Sequence, residues 1–434
     1  MLLINWTNKL FKMRVLLDIA LVIISTVIVI KTYRDLISYR NLSLSAYVIF
    51  LCYIFNCFPI LLDLLMGTPN YIMYYDFELA ANNDTVSMIY DVYILAAIIC
   101  FYIYYKKNVV PASESYLKYS KKLWVIQDLL IISPILVVLL FGGGVGEFVY
   151  ASLADREVDS NISAIVNQLM FISLYFFCVR EFGQKKKALT GLWLVFFLII
   201  LALISGKRFI IAVVLLSYFF CFICSRWVGK YNTHMTAMLL VVGSFFMAFI
   251  VYYITNVKVM GDFSGYIYSQ LRIDFGREDV TKFVIMRELE GQPILDYRGE
   301  SIISTLLMFV PRTVWAAKPY PHYRYLTSSL VGGTPEDLHF GMTPSVFEMM
   351  IANFGIIIGI VIAIALIIAI TKFGDLLKST NQKLVVLIVL IQLFTQSLDV
   401  IFVLFYYFMF LIITHRYWIK SNLSKIKNLK RIEY

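Results

Sequence analysis

Charged residues are scarce in this sequence of 434 residues: Asp, Glu, Lys and Arg together account for 15%, and apolar residues for 60%. A soluble domain normally carries more charge than this. The mean hydropathy is +0.79, and apolar runs near the ~20 residues needed to cross a bilayer recur along the chain. The composition therefore excludes a soluble protein. The first run, 13–30, has no small-residue cleavage site and is followed by Lys31 and Arg34, so we expect a span there and not a signal peptide.

Motifs for metal, nucleotide and redox chemistry are absent as well. The four histidines form no cluster with metal-ligand spacing, and neither a P-loop nor a Gly-rich dinucleotide turn occurs. All six cysteines lie in apolar runs, and even Cys221 and Cys224 are predicted to pack inside a membrane helix. We therefore expect no cofactor and no metal. The net charge of +10 indicates membrane topology and not nucleic-acid binding, because cytoplasmic loops collect Lys and Arg.

The apolar runs predict an all-α polytopic membrane protein, a single integral membrane domain over 1–434 with about eleven crossings (ten to twelve). The last run is long for one crossing and is polar at 395–399, so it is predicted to form a tight helical hairpin. The predicted spans are 13–30, 45–66, 88–105, 124–141, 162–179, 188–204, 209–224, 236–255, 347–370 and the hairpin 384–413.

Basic residues concentrate in alternate connecting segments, near 106–122, 180–187 and 372–383, and in the tail after 416. The positive-inside tendency predicts that these segments are cytoplasmic. Counting spans from them places the acidic segments 67–87 and 142–161 outside, together with a long loop, 256–346, that interrupts the apolar pattern. The N-terminus also falls outside by this count, although Lys9, Lys12 and Arg14 argue against that placement.

The long loop contains a stretch without acidic residues, from Ser301 to Pro335, in which Arg312, Lys318 and Arg324 all fall. Unbalanced positive charge outside runs against the positive-inside tendency and needs a reason. A ligand carrying phosphate is the simplest one, because guanidinium groups bind its oxygens bidentately. Alternatively the segment lies on the membrane, with its aromatic residues at the headgroups and its cations touching lipid phosphate.

A second basic pair, Lys207 and Arg208, lies at a tight turn between two predicted spans. Two adjacent cations at such a turn are costly unless they are paired, so the pair is either a second phosphate-binding element or a lipid-headgroup or structural contact. In the long loop, prolines stiffen the backbone and aromatic faces can stack on sugar rings. The residues predicted to line a sugar path are Trp315, Tyr320, Tyr323 and Asn353.

A carboxylate at the start of the next apolar run is the best candidate for a general base. Glu348 lies in the first turns of that predicted helix, beside the basic loop, where burial and nearby cations can tune its protonation. His339, just before the helix, is the second candidate. The alternative for Glu348 is an N-terminal acid that interacts only with the helix dipole.

Three short patches of the chain carry a resemblance to a known family. The patches are Ser205-Gly206-Lys207-Arg208; Pro311-Arg312 with Trp315 and Lys318-Pro319; and Glu348 with Asn353-Phe354-Gly355 and Gly359. In these patches by motif, and over its whole length by topology, the chain resembles the Wzy-type O-antigen and oligosaccharide repeat-unit polymerases. The resemblance implies a GT-C-like glycosyltransferase bundle in the bacterial inner membrane, with a large periplasmic loop and an active site on the periplasmic side.

The implied reaction joins undecaprenyl-pyrophosphate-linked oligosaccharide repeat units without metal or nucleotide. Lys207, Arg208, Arg312, Lys318 and Arg324 would bind the diphosphate, and Glu348 or His339 would take the proton of the attacking sugar hydroxyl. The resemblance also allows two further partners, membrane lipid and a protein that regulates chain length. An O-antigen ligase is the nearest alternative, and a lipid-linked oligosaccharide flippase or transporter is a more distant one. The transporter is disfavoured because no internal repeat is visible and most spans lack central charges.

Overall fold

In the computed structural model of the chain, the regular structure is helical and no strand occurs among the described residues. This agrees with the predicted class, an α-helical membrane protein. The described residues are 2–38, 41–68, 71, 75–110, 124–141, 160–183, 197, 200–201, 209–224, 268, 272, 276–336, 338, 342–377, 379–396, 406 and 410.

Within these residues, four helices are long and apolar enough to cross a membrane: Phe11–Ile37, Ser45–Met66, Asp84–Lys107 and Ile356–Leu376. Shorter apolar helices cover Val125–Phe141, Ile165–Arg180, Val213–Cys224 and Thr380–Thr395. The predicted span 236–255 lies outside the described residues, as do nearly all of 188–204 and of the second arm of the hairpin. The count of eleven crossings therefore stays a prediction.

The helices are numbered in chain order. The first seven are α1 (Leu2–Ile37), α2 (Ser45–Met66, π-helical at Tyr53–Cys57), α3 (Tyr75–Asn82), α4 (Asp84–Lys107), α5 (Trp124–Phe141), α6 (Ser160–Gly183) and α7 (Phe209–Cys224). The others are α8 (Glu278–Leu289), α9 (Glu300–Leu306), α10 (His322–Val331), α11 (Val346–Phe354), α12 (Ile356–Leu376) and α13 (Thr380–Thr395).

Helices α1 and α4 pack side by side in the same direction. Arg14 Nη1 lies 3.2 Å from Asp84 Oδ1 at their N-terminal ends, and Lys106 Nζ lies 2.6 Å from Asp35 Oδ2 at the other ends. The α4 helix begins where the Asn83 side chain accepts hydrogen bonds from the backbone N–H groups of Thr85 and Val86, as an N-cap residue does. The two helices therefore enter the bundle from the same face.

The opposite face, termed the basic face, gathers the end of α4, the start of α2 and the end of α12. Asn41 Nδ2 donates to the carbonyl of Tyr105 at 2.8 Å, and Asp375 accepts from Ser43 Oγ and from the backbone N–H of Leu44. Lys106 and Lys107 end α4 at this face. Among the described residues, those of two basic segments that were expected to be cytoplasmic, 106–122 and 372–383, therefore share one end of the bundle.

The long loop lies at the other end, termed the loop face, and it is folded into the bundle. Residues Glu278 to Met286 of α8 are all buried, and Phe283 packs edge-to-face on Phe77 of α3 with ring centroids 5.8 Å apart. The backbone N–H of Arg277 donates to the carbonyl of Phe55 at 3.0 Å. That carbonyl lies in the π-helical turn of α2, where the regular hydrogen-bond ladder is interrupted. The loop thus docks on a carbonyl inside a span.

The predicted span 347–370 is wrong as one continuous helix, because the chain breaks at Gly355. Gly355 has φ +81° and ψ 170°, a conformation almost restricted to glycine, and it separates the buried helix α11 from α12. Phe347 of α11 packs against Tyr93 and Phe394, with ring centroids 5.4 and 5.6 Å away. Helix α11 is thus a short element packed inside the bundle, and the span begins only after the glycine.

Gly359 allows α12 to lie directly on α11, and Gly359→Ala is expected to separate them. A Cβ at this position would lie 2.5 Å from the carbonyl oxygen of Met350 and 2.7 Å from Ile351 Cα. Overpacking costs about 1–3 kcal/mol, and backbone atoms cannot move away as a side chain can. Alanine is the better helix former by about 1 kcal/mol, so a net loss of about 1–2 kcal/mol is expected.

The free energy of unfolding in detergent measures this effect. Ala365→Val is the control, since it adds bulk to an exposed position of the same helix. An unchanged unfolding free energy for Gly359→Ala would show that the two helices do not touch there.

Candidate functional site

Two cations from the acid-free stretch surround one aromatic ring on the loop face. The guanidinium carbon of Arg312 lies 3.8 Å from the centroid of the Tyr320 ring, and that of Arg324 lies 5.5 Å from it. Lys318 is close enough to Arg312 for the two charges to repel each other. Arg312, Lys318, Tyr320 and Arg324 are termed the basic cluster.

Backbone carbonyl groups orient these cations without neutralising them. Arg312 Nη2 donates to the carbonyl of Pro319 at 3.3 Å, and Arg324 Nη1 donates to the carbonyl of Pro335 at the same distance. Lys318 Nζ donates to two carbonyls, those of Met308 and Val310, at 2.8 and 2.9 Å. The prolines fix the chain direction, since each restricts φ. The charges are thereby held in place by local hydrogen bonds.

No carboxylate of the described residues forms an ion pair with Arg312, Lys318 or Arg324. Glu336 instead accepts a hydrogen bond from the Tyr320 hydroxyl at 2.6 Å, which raises the pKa of Tyr320. Partial burial lowers the pKa of Lys318, and repulsion from Arg312 lowers it further. That repulsion is expected where positive charge is in excess, and such a site attracts a multivalent anion.

A buried pair, His322 and Glu348, lies next to this cluster in the fold. His322 Nε2 and Glu348 Oε2 are 2.7 Å apart, and neither side chain is exposed. His322 Nδ1 lies 3.1 Å from Ser301 Oγ, which also accepts a hydrogen bond from Asn353 Nδ2 at 2.7 Å. The network joins α9, α10 and α11, because each helix supplies at least one of its members.

Some polar atoms of this region have no partner inside the protein. Glu348 Oε1 and Ser345 Oγ are buried without a hydrogen bond, and the Tyr93 hydroxyl, which interacts electrostatically with Glu348, is also buried and unpaired. Such atoms cost free energy unless water or a ligand group binds them. The unpaired Glu348 oxygen is chemically suited to accept a proton, but the pair is shielded from solvent.

The predicted site residues fall into three groups. Arg312, Lys318, Tyr320 and Arg324 come together in the basic cluster, with Trp315 and Tyr323 half-buried nearby in sequence. Glu348 lies at the start of α11 as predicted, but the amide of Asn353 is turned into the buried network and bonds Ser301 and the carbonyl of Met349. The candidates Lys207, Arg208 and His339 lie outside the described residues.

Sequence reasoning missed His322 as the partner of Glu348 and assigned the second catalytic position to His339. The available signal was the position of His322, directly after Pro321 and among the residues of the acid-free stretch. Proline is favourable at a helix start, and α10 does begin at His322 with Pro321 preceding it. That start points the imidazole inward.

Similarity to known proteins does not add to this picture. No family model matches the chain, and no curated protein or solved structure matches it at a significant level.

A double-mutant cycle on His322 and Glu348 tests whether the buried pair stabilises the fold. His322→Leu leaves the carboxyl of Glu348 buried without its partner, which should cost about 1–3 kcal/mol or more. Glu348→Gln removes the charge and keeps hydrogen-bonding atoms, so it should cost less. We expect the two changes to be non-additive by about 0.5–3 kcal/mol when unfolding free energies are compared. Additive losses would mean that the two side chains do not interact.

Proposed function

We propose that the protein is a membrane glycosyltransferase that polymerises undecaprenyl-pyrophosphate-linked oligosaccharide repeat units, as in the synthesis of O-antigen or a related surface polysaccharide. The growing chain moves from its lipid carrier to the terminal sugar hydroxyl of a new unit, and undecaprenyl pyrophosphate leaves. The proposal includes a GT-C-like bundle of about eleven crossings in the bacterial inner membrane, with the loop face on the periplasmic side.

The observation that carries this proposal is the basic cluster with its unpaired cations. As the bond between the anomeric carbon and the phosphate oxygen breaks, negative charge develops on the departing diphosphate. Preorganised cations lower the barrier to that step, and the loss of one such contact typically costs on the order of 10²–10³ in rate. Arg312 and Arg324 offer N–H forks that match phosphate oxygens, and Tyr320 keeps both at one place.

The other residues take complementary roles. The acceptor hydroxyl oxygen forms the new bond to the anomeric carbon, and its proton passes to Glu348, which His322 orients through the contact of 2.7 Å. Trp315, Tyr320 and Tyr323 present aromatic faces on which sugar rings can stack. A lipid-linked donor fits an enzyme whose cations lie at the end of the bundle, because such a substrate arrives through the membrane surface.

Reconstitution tests the proposal directly. The purified protein in vesicles of phosphatidylethanolamine and phosphatidylglycerol should convert lipid-linked repeat units from the source cell into products of two, three and more units. The release of undecaprenyl pyrophosphate should accompany each addition. Failure to lengthen any unit, with substrate and folded protein both verified, would contradict the proposal.

A deletion in cells separates the proposed enzyme from its nearest alternatives. Loss of a polymerase leaves single repeat units attached to the lipid A core, whereas loss of a ligase leaves the core bare and lets lipid-linked polymer accumulate. Loss of a flippase leaves the core bare too, but lipid-linked units remain unpolymerised. Gel electrophoresis of the surface polysaccharide distinguishes these outcomes, and only the first one supports the proposal.

A further inference from the structure

Two aspartates, Asp18 of α1 and Asp91 of α4, lie inside membrane-spanning helices. Arg14 of α1 pairs with Asp84 of α4, and beyond that pair Asp18 follows after four residues and Asp91 after seven. Since α1 and α4 are parallel and each residue rises by about 1.5 Å, Asp18 and Asp91 lie about 6 and about 10 Å further into the bundle than this ion pair. Asp18 is 7% exposed and Asp91 is 1% exposed. An acid at such a place is costly unless something neutralises it.

The carboxyl groups of Asp18 and Asp91 interact directly with each other. No N–H or hydroxyl donor of the described residues reaches either oxygen of Asp91. Ionised carboxylates accept hydrogen bonds and donate none. The contact between the two acids therefore lacks a hydrogen as long as both are ionised, and a single proton placed between them supplies it.

The charges of the described residues around the pair leave it one positive charge short. The groups that act on Asp91 are Asp18, Arg14 of α1 and Lys282 of α8. Arg14 is shared, since it lies 3.8 Å from Asp18 and 3.2 Å from Asp84. Three carboxylates thus face two cations in a medium where an uncompensated charge is expensive.

Lys282 does not supply the positive charge that the aspartate pair lacks. Its side chain is 3% exposed, and its ammonium lies 5.3 Å from the centroid of the Tyr90 ring without a hydrogen bond to Asp91. Glu278 lies one turn before Lys282 in α8 and also interacts with its ammonium group. Glu278 interacts more strongly with Arg272 than with Lys282. A proton suits the aspartate pair better than a metal ion does. Metal sites need several ligands, and the described residues contain no group of three His, Cys, Asp or Glu suited to a metal ion.

We propose that Asp18 and Asp91 bind one proton between them and form a proton-binding site within the membrane-spanning part of the bundle. The site is independent of the proposed polymerase activity, since neither aspartate belongs to the basic cluster or to the buried histidine–glutamate pair. With the proton, the α1–α4 contact is joined by a hydrogen bond. Without it, two like charges face each other beside Lys282, a residue of the loop helix α8.

Infrared spectroscopy of the full-length protein in vesicles at neutral pH tests the site. The wild type should show the C=O band of a protonated carboxyl, and Asp91→Asn should lose one such group. Asp18→Asn should lose it as well, because the asparagine amide donates to Asp91 and removes its need for a proton. Asp35→Asn, at the far end of α1 in the ion pair with Lys106, is the control and should keep the band.

The same samples must be shown to be folded by their unfolding midpoints, which both Asn variants should retain. A band that persists undiminished in folded Asp91→Asn and Asp18→Asn would overturn the proposal. So would a band in the wild type that disappears when sodium ions are added at constant pH, since a metal cation would then occupy the pair.

Discussion

Replacing Arg312 and Arg324 together by alanine is expected to abolish long polysaccharide chains in cells that depend on this protein. Both guanidinium groups lie against one tyrosine ring and neither makes an ion pair among the described residues. If they stabilise the leaving diphosphate, each loss costs on the order of 10²–10³ in rate, and the pair should cost at least about 10³. Gel electrophoresis of the surface polysaccharide, with the protein level checked by immunoblot, measures the effect.

Arg287→Ala is the matched control for this experiment. Arg287 is an arginine of the same loop, but it lies on α8 and is 3.9 Å from Glu290 in a partly exposed pair. The variant removes the same charge from the same loop outside the basic cluster, so chain length should not change. Tyr320→Phe adds a second comparison, because it keeps the ring and removes only the hydroxyl that bonds Glu336. Long chains in the double variant, at a normal protein level, would remove the basic cluster from the mechanism.

The largest effect on stability is expected from Arg272→Ala. Arg272 is 1% exposed and makes two hydrogen bonds to Asp63, Nε to Oδ1 at 2.7 Å and Nη2 to Oδ2 at 2.6 Å. It also pairs with Asp279 at 3.2 Å and contacts Glu278. Burial alone would lower the pKa of Arg272, but these carboxylates raise it well above its usual value. The arginine therefore stays charged and holds three acids together.

Without Arg272 the three carboxylates would remain in place without their shared cation. Breaking a buried ion pair from one side costs about 3–5 kcal/mol, and such a loss is a large share of the stability of most proteins. We expect Arg272→Ala to reduce the yield of folded protein and to lower the unfolding midpoint in detergent. The loop should be affected first, because Asp63 belongs to α2 whereas Glu278 and Asp279 begin α8.

Two variants make this prediction specific. Lys106→Ala breaks an exposed pair with Asp35 and should cost less than about 1 kcal/mol. Adding Asp63→Asn to Arg272→Ala removes one of the stranded charges and should restore part of the lost stability. An Arg272→Ala protein as stable as Lys106→Ala would show that the cluster does not hold the loop to the bundle.

Hydropathy predicted the helices of this fold better than their breaks. The run 45–66 and the run 124–141 coincide with α2 and α5. The break at Gly355 was not predicted, since the residues on both sides are apolar and a hydropathy window does not register a change of direction. The short buried helix α11 could be distinguished from a span only by its contacts with Tyr93 and Phe394.

The candidate site was predictable where it is local and not where it is assembled from distant segments. The lack of acids between Ser301 and Pro335 pointed to a concentration of positive charge, and Arg312 and Arg324 do gather around Tyr320, with Lys318 near Arg312. His322 and Glu348 are 26 residues apart in the sequence, and nothing local relates them. Asp18 and Asp91 were passed over because a single acid hardly changes the average over an apolar window.

The central claim is that the basic cluster binds a lipid diphosphate. Binding of undecaprenyl pyrophosphate to the purified protein tests this claim most directly. Native mass spectrometry can compare the wild type and the Arg312→Ala/Arg324→Ala variant, with undecaprenol as the uncharged reference lipid. The account predicts that the wild type binds the diphosphate far better than undecaprenol and that the double variant loses most of this preference. Equal preference in the two proteins would contradict it.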